Sequence, residues 1–205
     1  MNNRFTQQEQ LVAYLSEHGL ARASELNAAG IAATTVSRAV AEGAVMRVGR
    51  GLYQLADTAV DSAQSLAEAS KRVPKGVVCL ISALAFHELT DQMPRRVWIA
   101  IGAKAWTPKV DYPRLRIVRF RPPNLEYGVE QHNVSGVSVP IYSVTKSLAD
   151  AFRNPKLVDR SVAIECLRNA VQQNKASPAD IAQTATACGA WRRMQPYLET
   201  LTSYG

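Results

Sequence analysis

Apolar positions recur at two different periods along this chain, and the change between them marks its parts. From Gln7 to Glu17, the residues Leu11, Val12, Tyr14 and Leu15 return at the helical period, which predicts a helix capped by Thr6 and stopped by Gly19. A short second helix is expected over Ala23 to Ala28, capped by Ser24 or by the turn before it, with Leu26 turned inward. Gly30 ends it with a backbone free to take φ > 0. Ile31 leads into a third helix, where Val36, Val40 and Gly43 share one face. Thr34, Arg38 and Ala41 fall on the opposite face, with Thr35 and Ser37 on its flanks. The period then drops to that of strands. Val45, Val48, Leu52, Tyr53 and Leu55 form two short β-prone runs around Gly49-Arg50-Gly51.

Beyond this ribbon a linker helix is expected over residues 59–73. Leu66, Ala63 and Ala67 are its packing residues, and Lys71 and Arg72 sit in its last turn. Pro74 and Gly76 then break the chain, which places the boundary between Ala56 and Gly76 and divides the sequence into 1–58, 59–75 and 76–205. The last part opens with the apolar run Val77 to Leu84, a strand or turn leading into a helix that carries Phe86, His87 and Leu89. Strands are predicted at Val97 to Ile101, Leu115 to Phe120, Val129 to Val134 and Val137 to Tyr142, the last two joined as a hairpin at Ser135-Gly136. Helices follow. One runs from Val144 to Arg153, capped by Ser143 and stopped at Asn154-Pro155, and one from Val158 to Gln173. A third starts at Ser177-Pro178-Ala179-Asp180, and the last carries Trp191, Met194, Tyr197 and Leu198. The predicted class is α+β: an N-terminal winged helix-turn-helix domain, then a C-terminal α/β domain with a small, mostly antiparallel or mixed sheet and closing helices.

Helix, short helix, glycine turn, helix and β-ribbon is the order of a winged helix-turn-helix. Its third helix presents small hydroxyls and one arginine, which suits the floor of a major groove because bulky side chains would hold the helix off the base edges. Arg38 is the first candidate for a base contact, Thr34 for a thymine methyl, and Ser37 and Thr35 for a phosphate or base edge. The competing reading pairs Arg38 with Glu42 along the helix. Arg47 and Arg50, on or near the wing tip, are candidates for phosphate or the minor groove, against a merely solvated turn.

The charge adds a second location. The 205 residues carry a net +7, yet residues 1–58 hold five Lys/Arg and five Asp/Glu, while residues 71–121 hold eleven basic residues and three acids. A polyanion drawn by this excess has to touch the second domain too. Arg95, Arg96, Lys104, Lys109, Arg114, Arg116, Arg119 and Arg121 form the candidate track, against a solvated basic face without a partner. In a strand, Arg119 and Arg121 share a face with Ile117, and Arg116 shares the other with Val118. Cys79, Cys166 and Cys188 are odd in number and at no ligand spacing, which reads as core or free thiols. The first residues lack an apolar run and no window reaches the length of a membrane span, so a cytoplasmic protein without membrane contact is expected.

Candidate chemistry is sparse. His87, with Glu88 and Asp91 nearby, reads as a hydrogen-bonded core or boundary histidine. His18 and His132 have no partner spacing. Lys146 and Asp150 stand four residues apart, as an intrahelical pair would. Gly49-Arg50-Gly51 lacks the context and the lysine of a phosphate loop. No catalytic residue, metal or cofactor is predicted.

Thr34 to Val40 resembles the recognition helix of lac-repressor-type regulators, a likeness of groove chemistry. A broader resemblance joins the winged helix to Ser82-Ala83-Leu84, His87-Glu88-Leu89-Thr90, Val97 to Ala100, Leu115 to Phe120, and Val139 to Ser143 with Lys146, Leu148, Ala149, Asp150 and Phe152. This set resembles the AbiEi family, antitoxins and autorepressors of type IV toxin–antitoxin and abortive-infection systems. The family often has glycine after the helix histidine, where this chain has Glu88. The resemblance implies a winged helix that binds inverted repeats of double-stranded promoter DNA, with room for cooperative assembly, and a C-terminal domain that counters a nucleotidyltransferase-like toxin. Two rivals stay open. A nuclease or nucleotide-processing enzyme with a DNA-reading head would draw on Asp111, Glu126 and Glu130. A ligand-sensing regulator would need a large apolar pocket.

Overall fold

A computed structural model describes residues 6–57, 64–110 and 112–203. The expected packing residue Ala63 and the candidate Asp111 lie outside them. The chain divides into two compact units, Met1–Pro74 with His132–Val139, and Lys75–Gln131 with Pro140–Gly205.

In the first unit, α1 (Gln7–His18) starts at a capping box. The Thr6 hydroxyl accepts the Glu9 N–H at 3.2 Å, and the Glu9 carboxylate accepts the Thr6 N–H at 2.7 Å. Leu11 and Leu15 carry its buried face, whereas Val12, expected there, is exposed. A strand that the sequence did not announce follows at once, β1 (Leu20–Arg22). Three residues are too few to show a period, and this strand exists because it pairs antiparallel with β3 (Leu52–Leu55). Of the two caps expected for α2 (Ala23–Ala28), the preceding turn supplies it at Arg22 and Ser24 does not: the Glu25 carboxylate accepts the Arg22 N–H at 2.7 Å. Gly30, at φ +80°, makes the turn into α3 (Ala33–Ala41). β2 (Val45–Gly49) pairs antiparallel with β3, completing a sheet of order β1-β3-β2. Leu11, Leu15, Ala21, Leu26, Ile31, Val36, Ala39 and Val45 form the core. α4 (Gln64–Arg72) belongs to this unit. Lys71 meets Glu25 at 2.9 Å, and Gln64 donates to the buried Gln54 at 2.9 Å.

A mixed sheet of order β6-β5-β4-β8-β7 comprises β4 (Val77–Val78), β5 (Val97–Gly102), β6 (Leu115–Phe120), β7 (Val129–Val134) and β8 (Val137–Tyr142), and belongs to the second unit except for the hairpin residues His132–Val139. β4 runs antiparallel to β5 and parallel to β8, and β5 runs parallel to β6 over six residue pairs, so β6 forms an edge. Ser135 and Gly136 turn the β7–β8 hairpin at φ +49° and +77°, the two left-handed residues of a type I′ turn. α5 (Leu80–Phe86) is shorter than expected. His87 caps it, Leu89 lies beyond it, and Glu88 sits at φ +59°. The residue standing where the AbiEi pattern often has glycine thus adopts glycine's backbone region.

The centre of this unit is α6 (Val144–Arg153), nearly every residue of which is buried. The Ser143 hydroxyl caps it by accepting the Lys146 N–H at 3.2 Å. Lys146 and Asp150 form an ion pair inside it, and both side chains are 0% exposed. Gly128, at φ +69°, passes so close that a Cβ there would lie 2.7 Å from the Lys146 Cβ. α7 (Arg160–Gln172), α8 (Pro178–Ala187) and α9 (Trp191–Thr202) complete the domain. α7 begins two residues later than its periodicity predicted, at an N-cap on Asp159, and Ser177 caps α8 as expected. The three cysteines are buried free thiols, and desolvation pushes each above its ordinary pKa, Cys166 to about 12.

Candidate nucleic-acid interface

α3 is seated by glutamines of α1. The Gln7 carboxamide accepts the Ala32 N–H at 2.9 Å and donates to the Gly30 carbonyl at 3.0 Å, clamping the turn that aims the helix. At its far end, Gln8 donates to Glu42 at 3.0 Å. The buried stripe is Val36 and Ala39, with Val40 partly buried. Gly43, assigned to that stripe from the sequence, is exposed at φ +75°, because α3 stops at Ala41 and the left-handed turn swings it away. Thr34, Ser37 and Arg38 are exposed and Thr35 is half-buried. Among the described residues Arg38 makes no ion pair. Glu42, its expected intrahelical partner, is engaged by Gln8 instead.

On the wing, Arg47 and Arg50 are both exposed, and the Arg47 side chain bends to donate to the Gly49 carbonyl at 3.3 Å. The fold adds two arginines that sequence reasoning missed. Arg22, Arg50 and Arg72 line one cavity of about 310 Å³ with Ala23, Ser24, Gly51 and Leu52. Arg22 arrives there through β1 and Arg72 through the last turn of α4, so no local spacing marks either. Three guanidiniums at the base of a wing have the charge and donor geometry that phosphate oxygens accept.

In the second unit all eight residues of the expected basic track are exposed. Arg116, Arg119 and Arg121 line a cleft of about 880 Å³ along β6, together with Arg153 from α6. Arg95 and Arg96 line a neighbouring cavity that shares Arg116, and Lys104 and Lys109 line another that shares Arg119. Arg114 precedes β6, and its carbonyl accepts the Val97 N–H at 2.8 Å. The arginines are held differently. Arg116 stacks 3.9 Å from the centre of the Trp98 ring, and Val118 beside it is buried, so the face expected to carry both is split. Arg119 donates to the carbonyls of Gly102, Ala103 and Ala105 and to the Thr107 hydroxyl, which commits it to shaping the loop after β5.

His87 Nε2 donates to the Tyr142 carbonyl at 2.7 Å. Glu126 and Glu130 are exposed. No helix among the described residues is long and apolar enough to cross a membrane.

No curated protein matches the sequence. The crystal structure of the RV2827C protein from Mycobacterium tuberculosis is similar in fold, with a TM-score of 0.60 and 13% identity over 96% of this chain and 78% of that one. A more local match bears on function. Residues 9–56, from α1 through the wing, match the family model described as transcriptional regulator, AbiEi antitoxin.

Proposed function

We propose that this protein represses its own promoter and neutralises a cognate nucleotidyltransferase-like toxin, the two activities of a type IV antitoxin in phage defence. The observation that carries the reading is the outward face of α3. Thr34, Ser37 and Arg38 stand exposed on a helix whose packing residues lie behind them, in a unit that matches the AbiEi regulators. α3 enters the major groove of an inverted repeat and Arg38 reads a guanine. Arg47 and Arg50, with Arg22 and Arg72 behind them, hold the flanking phosphates. The basic residues from Arg95 to Arg121, other than the loop-holding Arg119, add backbone contacts from the second unit, and successive copies assemble on repeated half-sites in the cytoplasm. Toxin neutralisation is assigned to the second unit, and no catalytic residue is invoked.

The test is footprinting of the purified protein on its own promoter, alongside co-expression with a nucleotidyltransferase-like gene where one adjoins its own. Protection of an inverted repeat and restored growth are expected; random coverage of DNA, or growth arrest that persists, would refute one half each. Gln7→Ala tests how α3 is aimed. It should cost about 0.5–1.5 kcal/mol of stability, and weaken operator binding without changing base preference. Urea unfolding and gel-shift competition read the two effects.

A further inference from the structure

We infer that the second unit binds single-stranded nucleic acid along β6, at a site separate from the duplex-reading face of α3. Trp106 is the first reason. It is 96% exposed, an unusual state for the most costly side chain to leave in water, and it stands on the loop between β5 and β6. This loop is not a loose tail. The Arg119 guanidinium grips it through the carbonyls of Gly102, Ala103 and Ala105, the last at 2.6 Å, and through Thr107 Oγ1 at 2.8 Å. An indole is thus presented on a fixed support, with Lys104 and Lys109 beside it in a cleft of about 520 Å³.

The second reason is the adjoining cleft of about 880 Å³, which shares Thr107 and Arg119 with the first and carries Arg116, Arg121 and Arg153. Neither cleft is lined by an Asp or Glu among the described residues. Arg116 is preorganised by stacking on Trp98, and Arg153 by its 3.4 Å bond to the Cys188 carbonyl. A run of cations for the phosphates next to a free aromatic face for a base is the chemistry that holds an unpaired strand. In a duplex the base faces are already stacked on one another, and Trp106 would find nothing to cover. An acidic protein segment could answer the cations, but it offers an indole no comparable planar partner.

The experiment uses the full chain with Arg38→Ala as parent, which weakens duplex reading by α3 and leaves the second unit unchanged. Twelve-nucleotide oligo-dT and oligo-U are titrated while tryptophan emission is followed. Quenching at low salt is expected, lost when Trp106→Ala is added, together with a fall in affinity of about 5- to 100-fold. Arg121→Ala should weaken binding several-fold and reduce its salt slope while leaving the quench at saturation intact. A blunt duplex of the same length should not reproduce the Trp106-dependent quench. The proposal is overturned if Trp106→Ala binds the oligonucleotides as tightly as its parent, if the duplex quenches equally, or if a poly-glutamate peptide quenches Trp106 and the oligonucleotides do not. The last outcome would make the cleft a protein-docking site. Because Trp106 is almost wholly solvent-exposed, its removal leaves the fold intact, and an unchanged melting temperature checks this.

Discussion

Lys146→Met alone will destabilise the protein by about 3–5 kcal/mol, and adding Asp150→Leu will restore most of the loss. Both side chains are 0% exposed at the centre of α6. The Lys146 ammonium also lies 4.2 Å from the Tyr142 ring centre and 5.1 Å from that of Phe120, so aromatic faces replace part of its lost hydration. Asp150 is less well provided. Its Oδ1 is buried without a hydrogen bond, 3.7 Å from Arg153. Burial holds the Asp150 carboxyl above its ordinary pKa, against the pull of Lys146 first and Arg153 second. Removing Lys146 leaves a carboxylate with one distant cation, and its pKa rises further. The sign of the pH effect follows. A folded-state pKa raised above the unfolded value contributes stability at low pH that is lost as pH climbs through it, so the single variant recovers part of its deficit on acidification. Urea midpoints at neutral and acidic pH for the three proteins decide the matter. A double variant as damaged as the single one would mean that the pair's shape, and not its charge balance, holds the domain.

The same pair shows where sequence legibility ended. Its four-residue spacing was readable, but its burial was not, because distant parts of the chain, among them Phe120, Gly128 and Tyr142, close over Lys146. Elements with local causes were legible. Thr6 with Glu9, Ser143 and Ser177 carry their caps in the sequence, and the Ser135-Gly136 turn encodes its own backbone. Elements with distant causes were not. β1 is a strand through Leu52 to Gln54, and Arg22 and Arg72 reach the wing only after the chain has returned there. On α3 the polar face was placed correctly because Thr34, Ser37 and Arg38 have no apolar rival. On the buried face Val36 and Val40 were placed, Ala39 was passed over because it is small, and Gly43 lies past the end of the helix. Trp106 gave no signal either: an isolated aromatic in a loop looks like a core residue until the fold leaves it outside.

Arg38→Ala should lower affinity for the operator about 5- to 150-fold, with the loss concentrated at one base pair, as expected for ~1–3 kcal/mol of discrimination by a bidentate arginine. Geometry makes the substitution clean. Arg38 is exposed, Val36 and Ala39 carry the packing of α3, and alanine is the better helix former, so thermal stability should hold or rise slightly. The informative comparison is Arg50→Ala on the wing. Taking one cation away from a phosphate there weakens every sequence alike and reduces the slope of log affinity against log salt by about 0.9. Competition among single-base operator variants separates the two. If Arg38→Ala weakens all variants equally, Arg38 holds backbone and the base reader must be sought at Thr34 or Ser37. If it changes neither affinity nor preference, α3 does not lie in the groove, and the DNA-reading role has to pass to the arginines at the base of the wing.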